Sequence, residues 1–272
     1  MTQKVFQASD GITLAYRDLG PADGPTVVLC HGLGAQGLQF GEDAEYFASQ
    51  NYRVLVPDVR GHGQSGFPPD YDPAAFSVPV LAADMLAMLD HAGAGQVHWV
   101  GNSLGGIVAL EMVGTTPERF TTLTIFGTAF ALDLPAVSGP ALVVLYRMFG
   151  PDLVSRISAV GTTRERSARP LVAQMLAEFD PEVGKAIASH VRRYDLTANA
   201  LAYPGPMLII VGGRDNAVNL VLRPALERIG PRPNWTVVEL PEGSHVANLD
   251  ATAPWRQALL DFWAANPTGA AA

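Results

Sequence analysis

The stretch VHWVGNSLGGIVALEMV, residues 97–113, decides the fold of this chain. Its first four residues suit a buried parallel strand, and residues 104–113 are predicted to form a helix. Between them lies the pattern Gly-x-Ser-x-Gly at 101–105, whose small residues allow the backbone to turn sharply. The pattern predicts that the backbone of Ser103 is strained. It also predicts that Ser103 lies at the carboxyl end of a strand and at the N-terminus of a helix. A helix dipole favours a developing negative charge there.

Short apolar runs alternate with amphipathic segments on both sides of this turn. Strands are predicted at 26–30, 53–56, 97–100, 123–126, 207–211 and 236–240, and helices at 80–91, 104–113, 221–229 and 255–263. A hairpin signal at Asp10-Gly11 adds two strands, at 5–8 and 13–16. The alternation predicts an α/β fold with a mostly parallel sheet and helices on both faces.

This alternation stops between residues 131 and 203. The segment shows helical patterns, for example at 141–149, 170–179 and 181–194, and no strand pattern. We therefore predict a core of residues 1–130 and 204–266, a helical insertion of residues 131–203, and a disordered tail of residues 267–272.

Composition excludes several classes of function. The chain has 272 residues, a formal net charge of -8 and a sequence pI of about 5.2, which argues against nucleic acid and anionic membrane surfaces as partners. No apolar run is long enough to cross a bilayer. The single cysteine excludes an intramolecular disulfide and no signal segment is evident, so a cytoplasmic protein is expected. The sequence indicates neither a cofactor nor a metal ion, and it leaves the oligomeric state open.

A serine hydroxyl needs a base to take its proton, and His245 best fits this role. It follows the last predicted strand in the loop PEGSH, residues 241–245, at the same sheet edge as Ser103. The other histidines are expected in structural or solvated positions, and they are His31, His62, His91, His98 and His190.

Two carboxylates compete to orient this base. Asp215 follows the predicted strand at 207–211 through the turn GGRD, and Asp58 follows the predicted strand at 53–56. Both lie at the carboxyl edge of the sheet. We prefer Asp215 because Ser, Asp and His then follow one another in the chain order typical of a serine on such a turn.

A tetrahedral intermediate also requires two N–H donors. The amide of Leu104, directly after the serine, is one candidate. The other is expected in the loop after the strand at 26–30, which reads HGLG, and we assign it to the amide of Leu33.

Five motifs in order along the chain resemble those of the α/β-hydrolase superfamily. They are HGLG at 31–34, DVRGHGQS at 58–65, GNSLGG at 101–106, GGRD at 212–215 and GSH at 243–245. The resemblance implies an eight-stranded sheet and identifies residues 131–203 as a helical cap. It is strongest to small bacterial esterases and lactonases, including enol-lactone hydrolases. The family commonly has Glu a few residues after the histidine, and Asp250 takes that place here.

The expected activity is cleavage of a small to medium, mainly apolar carboxylic ester through an acyl-enzyme. A lactonase with the same residues is the alternative. A carbon–carbon bond hydrolase ranks lower because HGLGAQG, residues 31–37, is not the Gly-Pro-Gly loop usual in those enzymes. A non-hydrolytic ligand-binding protein also ranks lower. Enzymes of the superfamily with an aspartate nucleophile, such as epoxide hydrolases, are disfavoured by Ser103.

An apolar substrate pocket is expected to involve the start of the insertion and the neighbours of the acid and the base. The candidate residues are Phe130, Tyr146, Val218 and Val246. Three arginines of the insertion either hold a substrate carboxylate or form a solvated face, and the sequence does not decide between these roles; they are Arg164, Arg166 and Arg169.

Overall fold

Eight strands form the central sheet in the residues that the computed structural model describes, 2–134 and 138–267. They are β1 (Thr2–Gln7), β2 (Thr13–Leu19), β3 (Thr26–Cys30), β4 (Arg53–Asp58), β5 (Val97–Asn102), β6 (Phe120–Phe126), β9 (Met207–Gly212) and β10 (Trp235–Leu240). Their order across the sheet is β1-β2-β4-β3-β5-β6-β9-β10. The pairs β1–β2 and β2–β4 are antiparallel, and all the other pairs are parallel. The predicted mostly parallel, eight-stranded sheet is therefore confirmed.

The helices cover both faces of this sheet. They are α1 (Gly41–Ser49), α2 (Val78–His91), α3 (Leu104–Thr115), α4 (Ser138–Phe149), α5 (Pro151–Thr162), α6 (Arg169–Glu178), α7 (Pro181–Val191), α8 (Thr197–Ala202), α9 (Asn216–Ile229), α10 (Ala247–Asp250) and α11 (Thr252–Ala265). Successive residues of a strand point to opposite faces. Val28 of β3 accordingly packs in the apolar cluster that contains residues of α2 and α3, and its neighbour Leu29 in the cluster that contains residues of α1 and α11.

The insertion between β6 and β9 contains the helices α4 to α7, which confirms its predicted helical character. The prediction that it contains no strand is wrong. Two three-residue strands, β7 (Ala131–Asp133) and β8 (Arg193–Asp195), pair antiparallel and bring the two ends of the insertion together. Strands this short cannot show an alternating pattern, which explains why the sequence did not reveal them. The exact division at residues 130 and 203 stays a prediction, and residues 268–272 of the predicted tail lie outside the described residues.

A buried ion pair fixes the turn that follows β4. Arg60 donates two hydrogen bonds to the carboxylate of Asp84 on α2, at 2.7 and 2.8 Å. Their side chains are 1% and 4% exposed. Asp10, in the β1–β2 hairpin, accepts further bonds from the same guanidinium. The motif DVRGHGQS is thereby fastened both to a helix and to the edge of the sheet.

Removing one partner of a buried pair leaves the other charge without compensation. We expect Arg60→Met to lower the free energy of unfolding by about 3–5 kcal/mol, because Asp84 stays buried. The matched control is Arg223→Met, which breaks an exposed pair with Glu239 and should cost less than about 1 kcal/mol. Urea unfolding of the two variants checks this, and equal losses would contradict a structural role for Arg60.

Candidate active site

Ser103 occupies the turn between β5 and α3 with a φ of 49° and a ψ of −111°. A positive φ is strained for a residue with a side chain, so neighbouring contacts must hold it. The amide of Ser103 donates to the carbonyl of Phe126, and its own carbonyl accepts from the amides of Gly106 and Ile107, each at 3.0 Å. The predicted strand, sharp turn and helix are all present.

The glycines of the motif permit this turn. A Cβ atom at Gly101 would overlap the carbonyl of Gly105, and a Cβ atom at Gly105 would overlap the carbonyl of Cys30 on β3. The helix α3 can therefore begin directly against the ends of β3 and β5 only because these two residues have no side chain.

The structure brings His245 and Asp215 together. The imidazole Nδ1 lies 2.9 Å from the Oδ2 atom of Asp215. A carboxylate only accepts hydrogen bonds, so Nδ1 carries the proton and Nε2 is left as an acceptor. Asp215 is 6% exposed, and its Oδ1 atom accepts from the amide of Val218 at the start of α9, at 3.3 Å. The side chain of His245 is 32% exposed, so its free nitrogen can be reached from solvent.

Asp58, the competing carboxylate, binds the amides of two loops. Its Oδ1 atom accepts from the amide of Gly37 at 2.7 Å, and its Oδ2 atom accepts from the amide of Gln64 at 2.9 Å. It thus ties two loops together, and no hydrogen bond joins it to His245 within the described residues. Of the two candidates, Asp215 is the one in contact with the histidine.

Ser103 and His245 line one cavity at the carboxyl edge of the sheet, with a volume of about 240 Å³. In the described part of the chain no hydrogen bond joins the two side chains, and contacts of this kind often tighten only when substrate binds. The remaining lining is mainly apolar and comes from both the core and the insertion: Leu33, Leu104, Ile107, Gly127, Thr128, Ala129, Leu132, Leu134, Val191, Tyr194, Ala217, Val218 and Val221. A hydroxyl, an imidazole and an apolar cavity together suit nucleophilic attack on a small apolar substrate.

The two predicted N–H donors lie at this cavity. Leu104 is the first residue of α3, where a helix has amides without partners inside the helix. Leu33 is in the turn after β3. Among the described residues neither amide donates a hydrogen bond, and both residues line the cavity with Ser103. The assignment of these two amides as the donors to a tetrahedral intermediate stays a prediction.

Two buried histidines shape the loop that carries Leu33. His31 donates from Nδ1 to the carbonyl of Gly32 and accepts the amide of Val59 at Nε2. His62 accepts the amide of Gly34 at Nε2 and lies 5.0 Å from His31, centroid to centroid. Burial lowers the pKa of His31 to about 4, and burial together with the nearby His31 ring lowers the pKa of His62 to about 3. Both rings are therefore neutral near pH 7, as their acceptor roles require.

Asn102, which the sequence analysis did not single out, connects the serine turn to the histidine loop. Its side-chain amide donates to the carbonyl of His245 at 2.8 Å and to that of Phe126 at 3.2 Å. Its Oδ1 atom accepts from Gln39. The Gly-x-Ser-x-Gly pattern does not specify the residue before the serine, so it carried no signal for this role.

Three of the four predicted pocket residues lie elsewhere, and only Val218 lines the cavity. Phe130 is fully buried in the core against Trp235. Tyr146 is buried, and its hydroxyl donates to the carbonyl of Leu176 inside the insertion. Val246 packs against α5 and α6. An apolar residue near a site serves the core as readily as a pocket, and the sequence does not separate these roles.

The arginines of the insertion also lie away from Ser103. Arg166 and Arg169 line a separate groove between α5 and α6, with a volume of about 570 Å³ and no residue in common with the Ser103 cavity. The amide of Arg164 donates to Asp250 at 3.1 Å. Among the described residues, none of the three arginines lines the Ser103 cavity.

The described residues contain no group of three or more His, Cys, Asp or Glu side chains that could hold a metal ion. Within residues 2–134 and 138–267, no helix is long and apolar enough to cross a membrane.

Comparison with known proteins defines the class to which this fold and site belong. The family model of the α/β hydrolase fold matches residues 25–197, which is more than half of the chain. The chain is therefore a member of the α/β hydrolase family.

Relatives within this family carry several activities in their names. The chain is 28% identical over 259 residues to "Putative carbamate hydrolase RutD" of Pseudomonas syringae pv. syringae (strain B728a), a match that covers 90% of this chain and 96% of the relative. It is 26% identical over 202 residues to bifunctional epoxide hydrolase 2 of Sus scrofa, covering 73% of this chain but only 33% of that protein.

Solved structures share the fold over nearly the whole chain. A thermophilic esterase from Thermogutta terrifontis superposes with a TM-score of 0.85 at 23% identity, covering 98% of this chain and 100% of that one. The enol-lactonase from Burkholderia xenovorans LB400 gives a TM-score of 0.83 at 21% identity, covering 96% and 100%. Likeness at these identities establishes the fold and leaves the substrate open.

The buried neutral histidines make stability depend on pH. In the unfolded chain a histidine titrates near pH 6.5, whereas His31 and His62 have pKa values of about 4 and about 3 when folded. Between these values the unfolded state binds more protons. The free energy of unfolding should therefore fall as the pH falls below about 6.5, by up to about 1.4 kcal/mol per pH unit for each histidine.

Urea unfolding at pH 7 and pH 5 measures this slope. Burial also lowers the pKa of His98 to about 4. We expect His62→Gln to have a shallower pH dependence than the wild type, because one of these three titrating groups is gone. His190→Gln, at a surface position where the ring contacts the carbonyl of Pro73, is the matched control and should keep the wild-type slope. A His62→Gln slope equal to that of the wild type would contradict the assignment.

Proposed function

We propose that this protein is a serine hydrolase that cleaves a small carboxylic ester through an acyl-enzyme. Ser103 is the nucleophile, His245 the general base and Asp215 the acid that orients it. One observation carries the proposal: Ser103 and His245 line the same cavity, while Asp215 holds the opposite nitrogen of the imidazole. This is the division of roles that activates a serine.

The reaction begins when the Oγ atom of Ser103 attacks the ester carbonyl and its proton moves to Nε2 of His245. The amides of Leu33 and Leu104 receive the negative charge that develops on the carbonyl oxygen. His245 then gives its proton to the departing alcohol, which leaves an acyl group on Ser103. Water, deprotonated by the same imidazole, hydrolyses this acyl-enzyme and restores the hydroxyl. Asp215 stays ionised and stabilises the imidazolium at each step.

The cavity supports a small and mainly apolar acyl group. Its volume of about 240 Å³ lies below the roughly 300–1,000 Å³ of pockets that hold drug-sized molecules. The hydroxyl of Tyr194, the polar side-chain group that the described part of the insertion adds to this lining, already donates to the carbonyl of Ala129 at 2.8 Å. Little hydrogen-bonding capacity is left for a polar substrate tail, which favours short hydrocarbon chains.

A lactone is the second candidate substrate. A cyclic ester presents the same carbonyl in a more compact form, which suits a cavity of this size. The fold likeness to an enol-lactonase and the carbamate hydrolase name of one relative justify testing lactones and carbamates beside linear esters. The epoxide hydrolase name of another relative has weaker support, because a serine stands at the turn where those enzymes carry aspartate.

Loss of the nucleophile should abolish ester hydrolysis. We expect Ser103→Ala to lower the rate on p-nitrophenyl butyrate by at least about a thousandfold, because no acyl-enzyme can form. Ser49→Ala removes an exposed hydroxyl from the end of α1 and should keep the wild-type rate. Turnover by Ser103→Ala at the wild-type rate would refute the proposed mechanism.

Kinetic measurements on matched substrates distinguish cleavage of a linear ester from cleavage of a lactone or a carbamate. We expect kcat/KM to be higher for ethyl pentanoate than for ethyl N-propylcarbamate, whose nitrogen makes the carbonyl less electrophilic. Because the ring of δ-valerolactone makes its carbonyl intrinsically more reactive, the ester and the lactone are compared after kcat/KM is divided by the uncatalysed rate of each, and we then expect the ester to be preferred. Rates by pH-stat titration or product analysis measure the order. A tenfold preference for the lactone would replace the esterase assignment by the lactonase alternative.

A further inference from the structure

We propose that Asp250 is a positioning residue that fastens the loop carrying His245 to the helical insertion. The inference rests on the proposed function, since it takes His245 as the base. Asp250 is the last residue of α10 and lies five positions after His245. The two oxygens of its carboxylate bind two different parts of the molecule.

One oxygen binds the turn between α5 and α6. The Oδ1 atom of Asp250 accepts the hydroxyl of Thr163 at 2.5 Å and the amides of Arg164 and Glu165, each at 3.1 Å. Thr163 is fully buried, so this contact is shielded from water. The insertion is thus held at the corner where two of its helices meet.

The other oxygen binds the residue next to the base. The Oδ2 atom of Asp250 accepts the amide of Ser244 at 2.8 Å and also contacts the Ser244 hydroxyl. That hydroxyl lies 2.8 Å from the carbonyl of Thr162, again at the end of α5. Ser244 is 2% exposed. Because three backbone amides and the hydroxyl of Thr163 donate to Asp250, only a side chain that accepts at both oxygens satisfies both sides.

The residue on the other side of His245 is also packed on the insertion. Val246 forms an apolar cluster with Ala159 of α5 and with Val172 and Met175 of α6. Both sequence neighbours of the base therefore contact α5, α6 or the turn between them. From the core, the base is held by Asp215 and by the Asn102 bond to its carbonyl. The position of the imidazole consequently depends on the insertion as well as on the core.

This arrangement separates positioning from substrate binding. The described part of the insertion that lines the Ser103 cavity comes from β7 with the following Leu134, the end of α7 and β8, with no residue of α5 or α6. Loosening the Asp250 contacts should displace the base and leave the cavity wall in place. A displacement of about 1 Å in a catalytic group can cost about a hundredfold in rate.

The test is Asp250→Asn, which keeps the shape of the side chain but turns one accepting oxygen into a donor. We expect kcat on p-nitrophenyl butyrate to fall by about ten- to a hundredfold and KM to change by less than about twofold. Asp250→Glu keeps two accepting oxygens and should recover part of kcat. A rise in KM with kcat retained would mean that Asp250 only docks the insertion, and it would overturn the proposal.

The matched control is Asp180→Asn. Asp180, a half-buried aspartate of the insertion, accepts the hydroxyl of Tyr71 and the amide of Glu182, and among the described residues no hydrogen bond joins it to the histidine loop. Asp180→Asn should leave kcat unchanged. If Asp250→Asn does not fold, Thr163→Val removes the 2.5 Å contact with Asp250, together with the bond that the Thr163 hydroxyl accepts from the amide of Glu165, and should lower kcat in the same direction. Wild-type kcat in a folded Thr163→Val or Asp250→Asn protein would overturn the proposal.

A readout independent of turnover keeps this inference separate from the proposed function. The Nδ1 proton of His245, bonded to Asp215, should give a low-field proton resonance that His245→Gln removes. We expect Asp250→Asn to shift or broaden it, and Asp180→Asn to leave it unchanged. An unaltered resonance in Asp250→Asn counts against positioning. Wild-type activity that does not depend on Ser103 counts against the proposed function, and the resonance then decides the role of Asp250.

Discussion

The positive φ of Ser103 is the constraint on which the rest of the site depends. A strained backbone of this kind costs on the order of 1–3 kcal/mol and persists only where the surroundings fix it. Here the fixing contacts are the bond from its amide to Phe126 on β6, the bonds to its carbonyl from the first turn of α3, and the close approach of glycine backbones. The strain directs one hydroxyl into a cavity at the point where a helix offers a free amide.

The other functional groups reach that point because parallel strands end at one edge of the sheet. Leu33 follows β3, Asp215 follows β9 and His245 follows β10, so separate loops meet around one serine. Residues that take no part in the proposed reaction hold these loops in place relative to one another. Asn102 joins the serine turn to the histidine loop, the neutral rings of His31 and His62 shape the Leu33 loop, and Asp250 connects the base to the insertion.

The sequence predicted the fold, and it predicted that the proposed reactive residues lie at one edge of the sheet, for a physical reason. A buried parallel strand, a sharp glycine turn and a helix impose patterns on a few consecutive residues, and the ends of such strands share one edge. The sequence left two candidates for the acid, Asp58 and the preferred Asp215. In the structure Asp58 binds the amide of Gly37, whereas Asp215 contacts His245.

What the sequence could not predict depends on contacts between distant residues. The strands β7 and β8 are each three residues long and pair across more than fifty residues. Phe130 and Val246 are apolar residues near the site, yet the first fills the core and the second packs on α5 and α6. The two-sided bonding of Asp250 likewise exists only once the insertion has folded over the histidine loop.

Covalent labelling shows whether Ser103 is a nucleophile that His245 activates. The wild-type protein, treated with a fluorophosphonate and digested with trypsin, should carry a single adduct on Ser103 by mass spectrometry. His245→Ala should slow its formation by at least about a hundredfold, because the hydroxyl then has no base. Absence of the adduct, an adduct on another residue, or labelling that does not depend on His245 would contradict the account.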